Sequence, residues 1–191
     1  MNRIIKKDLQ ESISITNYAI KNQIKTIEGI AEVIIDCLER GNKVILFGNG
    51  GSAADAQHIA AELIGRFEKN RKALAAISLT TNTSIISAIA NDFGYSHVFS
   101  KQIEGLGQAG DVAIGISTSG SSKNVLEALK KARQLGLATV GFCGKASKAI
   151  FKVSDLTLSV NSLRTCRIQE MHIKIGHIIC GLVEKALLNE K

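Results

Sequence analysis

The chain has 191 residues, with 24 Lys and Arg against 17 Asp and Glu, a formal net charge of +7 and a pI near 9.3. That length suits one domain of about 100–200 residues, and 45% hydrophobic residues against 21% charged supply a full core, which excludes disorder. No apolar run reaches the ~18 residues of a spanning helix, so no membrane association is expected. With 4% aromatic residues and no Trp, a base-stacking nucleic-acid binder is not expected either. The charge itself fits a solvated basic surface or a small phosphorylated ligand.

The opening MNRIIKKDLQESISITNYAI lacks a signal peptide's apolar centre and small-residue cleavage site. Its apolar residues instead recur at helical intervals. Ile4, Ile5, Leu9, Ile13, Ile20, Ile24, Ile27, Ala31, Ile34, Ile35 and Leu38 predict a helix through residues 1–41, stopped by Gly41-Asn42. This segment carries more apolar face than one sheet edge needs, so a subunit interface is expected. Strand and helix then alternate. A strand at Val44–Phe47 precedes a helix from Ser52 to about Gly65. A strand at Ala73–Leu79 precedes a helix at Ser84–Asn91. Val112–Ile116 is a strand, Lys123–Leu135 a helix, Leu137–Phe142 and Leu156–Val160 are strands, and a helix runs from about Gln169 to Leu188. Apolar strands alternating with helices predict a three-layer α/β sandwich around a five-stranded parallel sheet. Without linker, repeat or low-complexity tract, the whole chain reads as one domain. Four cysteines (Cys37, Cys143, Cys166, Cys180) lie far apart without a CxxC pair, as reduced thiols of a cytoplasmic protein do.

Ligands of open parallel sheets bind beyond the carboxyl ends of the strands, and two such ends stand out. The first is Gly48-Asn49-Gly50-Gly51-Ser52-Ala53-Ala54, where glycines admit a ligand close to the backbone and the following helix start favours an anion. A dinucleotide site would want an acidic residue about 20 residues on. The next strand ends in Leu79-Thr80-Thr81-Asn82, which has none. The second is Ser117-Thr118-Ser119-Gly120-Ser121-Ser122. One N-cap needs one hydroxyl; five hydroxyls in six residues suit a phosphate dianion at a helix start. No Lys completes a GxxxxGK[ST] pattern, which argues against a nucleoside triphosphatase.

His58 and Glu62 stand at i, i+4 and project from one helix face, as two metal ligands, an acid/base pair or a plain salt link. The last helix carries Gln169, Glu170, His172 and His177. Gln169 and His177 lie ~80° apart around that helix and ~12 Å along it, and His172 is angularly no worse a partner. Periodicity leaves the choice open. One straight helix does not easily bring Gln169 and His177 to one ion unless Gln169 lies at its very start or the ligands come from different subunits.

Four separated segments, GNGGSAADAQHIAAELIGRF (48–67), AIANDFG (88–94), ISTSGSSKNVLEALKKA (116–132) and RIQEMHIKIGH (167–177), together resemble the phosphoheptose isomerases, enzymes of the sugar-isomerase (SIS) group. The resemblance runs essentially end to end. It implies a single flavodoxin-like SIS domain over 1–191, assembled as a homotetramer with interfacial active sites and one zinc ion per subunit. The implied reaction converts sedoheptulose 7-phosphate to glycero-manno-heptose 7-phosphate through an enediol. That is the first step towards ADP-heptose or GDP-heptose, for lipopolysaccharide, capsule or another glycoconjugate. By motif, His58, Glu62, Gln169 and His177 match the metal ligands, and Glu62 and His177 the proton-transfer residues. Asn49, Gly50, Gly51, Asn91, Asp92, Ser117, Thr118, Ser119, Ser122 and Gln169 match substrate-binding positions, and Arg66 a cation near the substrate. The chain departs at Cys166, where many members have Ala or Asp, and at Lys72 and Lys123, where Pro is frequent. Two alternatives are an isomerase of another sugar phosphate and a non-catalytic SIS protein that binds the replication initiator. The presence of Glu62 and His177 favours the enzyme.

Overall fold

The computed structural model describes residues 1–145 and 147–188. Two helices, α1 (Asn2–Asn22) and α2 (Ile24–Glu39), lead into β1 (Val44–Gly48), α3 (Gly51–Ile64), β2 (Ala76–Ser78) and α4 (Thr83–Phe93). A 3₁₀ turn (Tyr95–His97) and α5 (Ser100–Leu106) follow, then β3 (Val112–Ile116), α6 (Lys123–Gln134), β4 (Ala138–Gly144), a second 3₁₀ turn (Ile150–Lys152), β5 (Leu156–Val160) and α7 (Thr165–Leu187). All strand pairings are parallel, in the order β2-β1-β3-β4-β5. This is the flavodoxin-like order of doubly wound sheets.

Alternation along the strands feeds two cores. Val44, Leu46, Val112, Ile114, Ile116, Val140, Phe142, Leu158 and Val160 face α2, α3 and α7. Ile45, Phe47, Ala113 and Cys143 face the other layer, with Phe99 and Ile103 of the α5 region and Val125, Ala128, Leu129 and Ala132 of α6. Every residue of β1 and β3 is buried, because helices cover both faces of a parallel sheet.

The predicted elements recur; α7 starts four residues earlier than the expected Gln169, the second 3₁₀ turn, at Ile150–Lys152, was not expected, and there are three larger differences. The single N-terminal helix breaks at Gln23 (φ −119°, ψ −4°). Beyond the break α2 buries Ile27, Ile30, Ala31, Ile34 and Cys37, whereas α1 buries Ile15 alone; α2 follows the sheet and α1 departs from it. The strand expected at 73–79 shortens to three residues because β2 is an edge strand paired with β1 only. The 3₁₀ turn and α5 were not expected. Val98, Phe99 and Ile103 are buried there, but two helical turns are too short for a period to register.

β1 and β3 are neighbours, with Gly48 opposite Ile116 at their carboxyl ends. The chain leaves β1 towards β2 on one side and β3 towards β4 on the other, so the topological switch point lies between these two ends. Both the glycine loop and the serine loop open there.

Candidate active site

The glycine loop turns through Gly50 at φ +55°, a left-handed conformation open to glycine and strained for other residues. Gly51 begins α3, and a Cβ at Gly51 would stand 2.4 Å from the side-chain amide of Gln169. The missing side chain at Gly51 is therefore what lets α7 bring Gln169 against the loop. Burial pushes the Asp55 carboxyl up, and the neighbouring Gln169 side chain and His58 oppose the shift. Its Oδ2 has no partner among the described residues.

The Asn49 side chain is already engaged. Its Nδ2 donates to Asn124 Oδ1 at 2.9 Å, and its Oδ1 accepts from Asn124 Nδ2 at 2.8 Å and Tyr95 Oη at 3.2 Å. With the amide so occupied, the glycine loop offers a ligand chiefly its backbone. The reciprocal amide pair also ties this loop to the start of α6, and so to the serine loop.

In the serine loop, Ser117 is buried. Its Oγ lies 2.9 Å from Ser122 Oγ, 3.4 Å from Ser119 Oγ and 3.1 Å from the Gly120 N–H. Ser122 stands at the N-cap of α6 but makes no side-chain cap bond. The hydroxyls bond one another instead of capping the helix, which leaves a polar cup at a helix start where an anion is favoured. Thr118 holds the loop through its carbonyl, which accepts from the Gly144 N–H at 3.0 Å.

About two turns into α3, His58 and Glu62 share a face, with Nε2 to Oε1 at 3.3 Å. From α7 the His177 ring meets His58 edge-on, centroids 5.0 Å apart, with their Nε2 atoms 2.9 Å apart. One ligand atom from each of His58, Glu62 and His177 falls within 4.8 Å of the others. Two imidazole nitrogens and a carboxylate oxygen form a donor set of catalytic zinc sites, so these residues fit such an ion. The fold decides between the histidines of α7. His172 is fully buried, with Nε2 3.3 Å from the Cys143 carbonyl, while His177 reaches the cluster.

Gln169 is in the second turn of α7, which begins at Thr165, and contacts Gly51 and Asp55. Asn91 donates to Asp92 at 2.8 Å in the last turn of α4, and Arg66 is exposed just past α3. Asp55, Tyr95, Asn124 and Arg71 were missed. Their roles depend on burial and on partners 46 to 114 positions away, and no local pattern carries such information. Arg71 is one basic residue that does not belong to a solvated surface, since its side chain is 3% exposed and bound to Glu184.

A family model for the SIS domain matches residues 9–144. The phosphoheptose isomerase of Roseiflexus sp. (strain RS-1) is 49% identical over 183 residues, covering 96% of this chain and 93% of that one. That of Aquifex aeolicus (strain VF5) is 50% identical over 181 residues, 95% of each chain. The structure of phosphoheptose isomerase GmhA from Neisseria gonorrhoeae superposes with a TM-score of 0.91 at 42% identity, covering 96% of this chain and 98% of that one. That of a phosphoheptose isomerase from Francisella tularensis gives 0.92 at 33% identity, covering 96% and 97%.

Proposed function

The chain belongs to the SIS-domain family and, within it, to the phosphoheptose isomerases, and from that premise we propose how its residues interconvert sedoheptulose 7-phosphate and glycero-manno-heptose 7-phosphate. It is an aldose–ketose isomerase. The observation that carries the site assignment is the convergence of His58, Glu62 and His177 beside two ligand loops at one switch point.

Isomerisation moves a proton between C1 and C2 through an enediol, so it needs a base at carbon and an acid at oxygen. Glu62 and His177 fill these roles. A carboxylate has two oxygens, and Glu62 Oε1 faces His58, which leaves the second oxygen for the proton on carbon. The cup of Ser117, Ser119 and Ser122, with Thr118, holds the phosphate far from the reacting carbons, and that binding energy positions the sugar. Asn49, Gly50 and Gly51 contribute backbone, and Asn91, Asp92 and Gln169 the polar contacts along the sugar. Arg66 is a cation near the site. His58, Glu62, His177 and Gln169 would hold one zinc ion per subunit, and such an ion would supply polarisation of the substrate's carbonyl oxygen.

The chain forms one SIS domain over 1–191. In α1 the apolar residues Ile4, Ile5, Leu9, Ile13 and Ile20 are each more than half exposed. A stripe of that extent favours a partner surface, here other copies in a homotetramer. Leu9→Asp together with Ile13→Asp is expected to shift the sedimenting species to a smaller one; an unchanged coefficient rejects this interface. The enzyme works in the cytoplasm, in keeping with free thiols at Cys37, Cys143, Cys166 and Cys180, and supplies heptose for lipopolysaccharide or capsule.

Incubation with sedoheptulose 7-phosphate and zinc, followed by direct detection of the aldose, tests the reading, and no conversion refutes it. Metal analysis tests the zinc assignment separately: no bound metal, and no effect of chelator on turnover, removes it. Gly51→Ala probes the approach of Gln169. The new methyl group displaces the Gln169 amide, and turnover is expected to fall by about 10²-fold, as misplacement near 1 Å does. Near-normal turnover in a folded Gly51→Ala protein excludes Gln169 from the site.

A further inference from the structure

Glu184 is a carboxylate that the chemistry does not use, yet it is only 2% exposed and accepts four hydrogen bonds. Three come from consecutive backbone N–H groups, those of Phe67 (3.0 Å), Glu68 (2.8 Å) and Lys69 (2.7 Å), and the fourth from Arg71 Nε (2.9 Å). Arg71 is buried equally deeply and spends its remaining donors on backbone carbonyls, two of them in α3. Nη2 bonds the Glu62 carbonyl at 2.7 Å, and Nη1 bonds the carbonyls of Leu63 at 2.8 Å and Lys72 at 3.1 Å. The last carbonyls of a helix otherwise lack partners, so the guanidinium closes the end of α3 at the residue that carries the Glu62 side chain.

His177, Gly181 and Glu184 lie at i, i+4 and i+7, and so share one face of α7. Phe67 fills the space between the two functional ends of that face. A Cβ on Gly181 would stand 3.3 Å from the Phe67 ring, and the ring lies 5.8 Å from the His177 imidazole at an interplanar angle of 31°. The loop that Glu184 gathers is therefore the loop that sets Phe67 on His177. A buried ion pair is a poor way to gain stability alone, because hydrophobic replacements often do as well. Here the same pair reaches two members of the cluster, the Glu62 backbone directly and the His177 ring through Phe67.

We propose that the Arg71–Glu184 ion pair is the positioning device of the active site, seating Phe67 against His177 and fixing the end of α3 that carries Glu62. Phe67, Arg71 and Glu184 act as positioning residues, and the inference rests on the reading that His177 and Glu62 serve the isomerase site.

The test compares full-length wild type with Glu184→Gln, Arg71→Lys, Phe67→Leu and Phe67→Tyr. In metal-free protein the imidazole resonances of His177 are followed by NMR. Phe67→Leu moves them by removing the ring, and Glu184→Gln and Arg71→Lys, which keep the ring, are expected to move them in the same direction. Cobalt(II) affinity, measured by chelator competition, is expected to weaken about tenfold in these three variants, the low end for groups that orient metal ligands, and to be retained in Phe67→Tyr. Folded Glu184→Gln and Arg71→Lys proteins with wild-type His177 resonances and wild-type cobalt affinity would overturn the proposal, whatever their melting temperatures. If Glu184→Gln does not fold, Arg71→Lys carries the same expectation. A wild type that takes no cobalt removes the metal assignment, and the His177 resonances then decide the inference alone.

Discussion

Glu62→Gln is expected to lower turnover at least 10²-fold, the low end of general acid–base contributions and about 2.7 kcal/mol of barrier. The amide keeps the size of the carboxylate and removes its basicity. Glu62 is partly exposed, with a side chain 22% accessible beside His58, so thermal stability should stay within about 0.5 kcal/mol, as for surface changes generally. The serine loop belongs to the β3–α6 connection and shares no hydrogen bond with Glu62 among the described residues, so phosphate affinity should persist. Turnover and inorganic phosphate binding, measured on the same preparation, separate the two functions. Near-normal turnover refutes the role of Glu62, and joint loss of turnover and phosphate binding points to a disturbed fold instead.

The second large effect is on stability and comes from His172. Complete burial holds its imidazole down, from the ordinary 6.5 to about 4, against the opposing contact with the Cys143 carbonyl; Nδ1 has no partner among the described residues. The folded protein therefore keeps His172 neutral at pH values where the unfolded chain protonates it. Stability from this group is complete above pH 6.5 and is lost as pH falls from 6.5 to 4. At about 1.36 kcal/mol for each pH unit between those values, the loss is roughly 3 kcal/mol. Burial works against the carboxyls of Asp111, Asp155 and Glu184, but their hydrogen bonds and cations hold them below the usual range. Their losses begin only below the ordinary carboxylate values. Asp55, raised by burial, acts in the opposite direction. Denaturant unfolding at pH 7, 6, 5 and 4.5 should show a decline in wild type that His172→Leu lacks between pH 6.5 and 4.5. Parallel pH curves for the two proteins would exclude His172 as the source.

Several features were legible because they are local. The strands at 112–116 and 156–160 match their predicted limits, since short apolar runs bounded by turns say where a buried strand begins and ends. The glycine and serine loops were legible through residue chemistry, which marks a backbone open to a ligand and a set of hydroxyls beyond one cap. The i, i+4 relation of His58 and Glu62 was legible because it lies within one helix.

Local pattern was therefore enough for the strands, the two loops at the switch point and one arm of the His58, Glu62 and His177 set. Tertiary structure alone decided which histidine of α7 completes that set. His172 and His177 are nearly equivalent to a helical period, and only packing buries the first against Cys143 and carries the second to His58. It also decided the place of Arg71, which a count of charges assigns to solvent and the fold pairs with Glu184, 113 residues away. Helical and strand periods fix which face a side chain takes on its own element. Which element covers that face depends on how all the apolar surfaces are buried together, and that is settled only when the chain closes on itself.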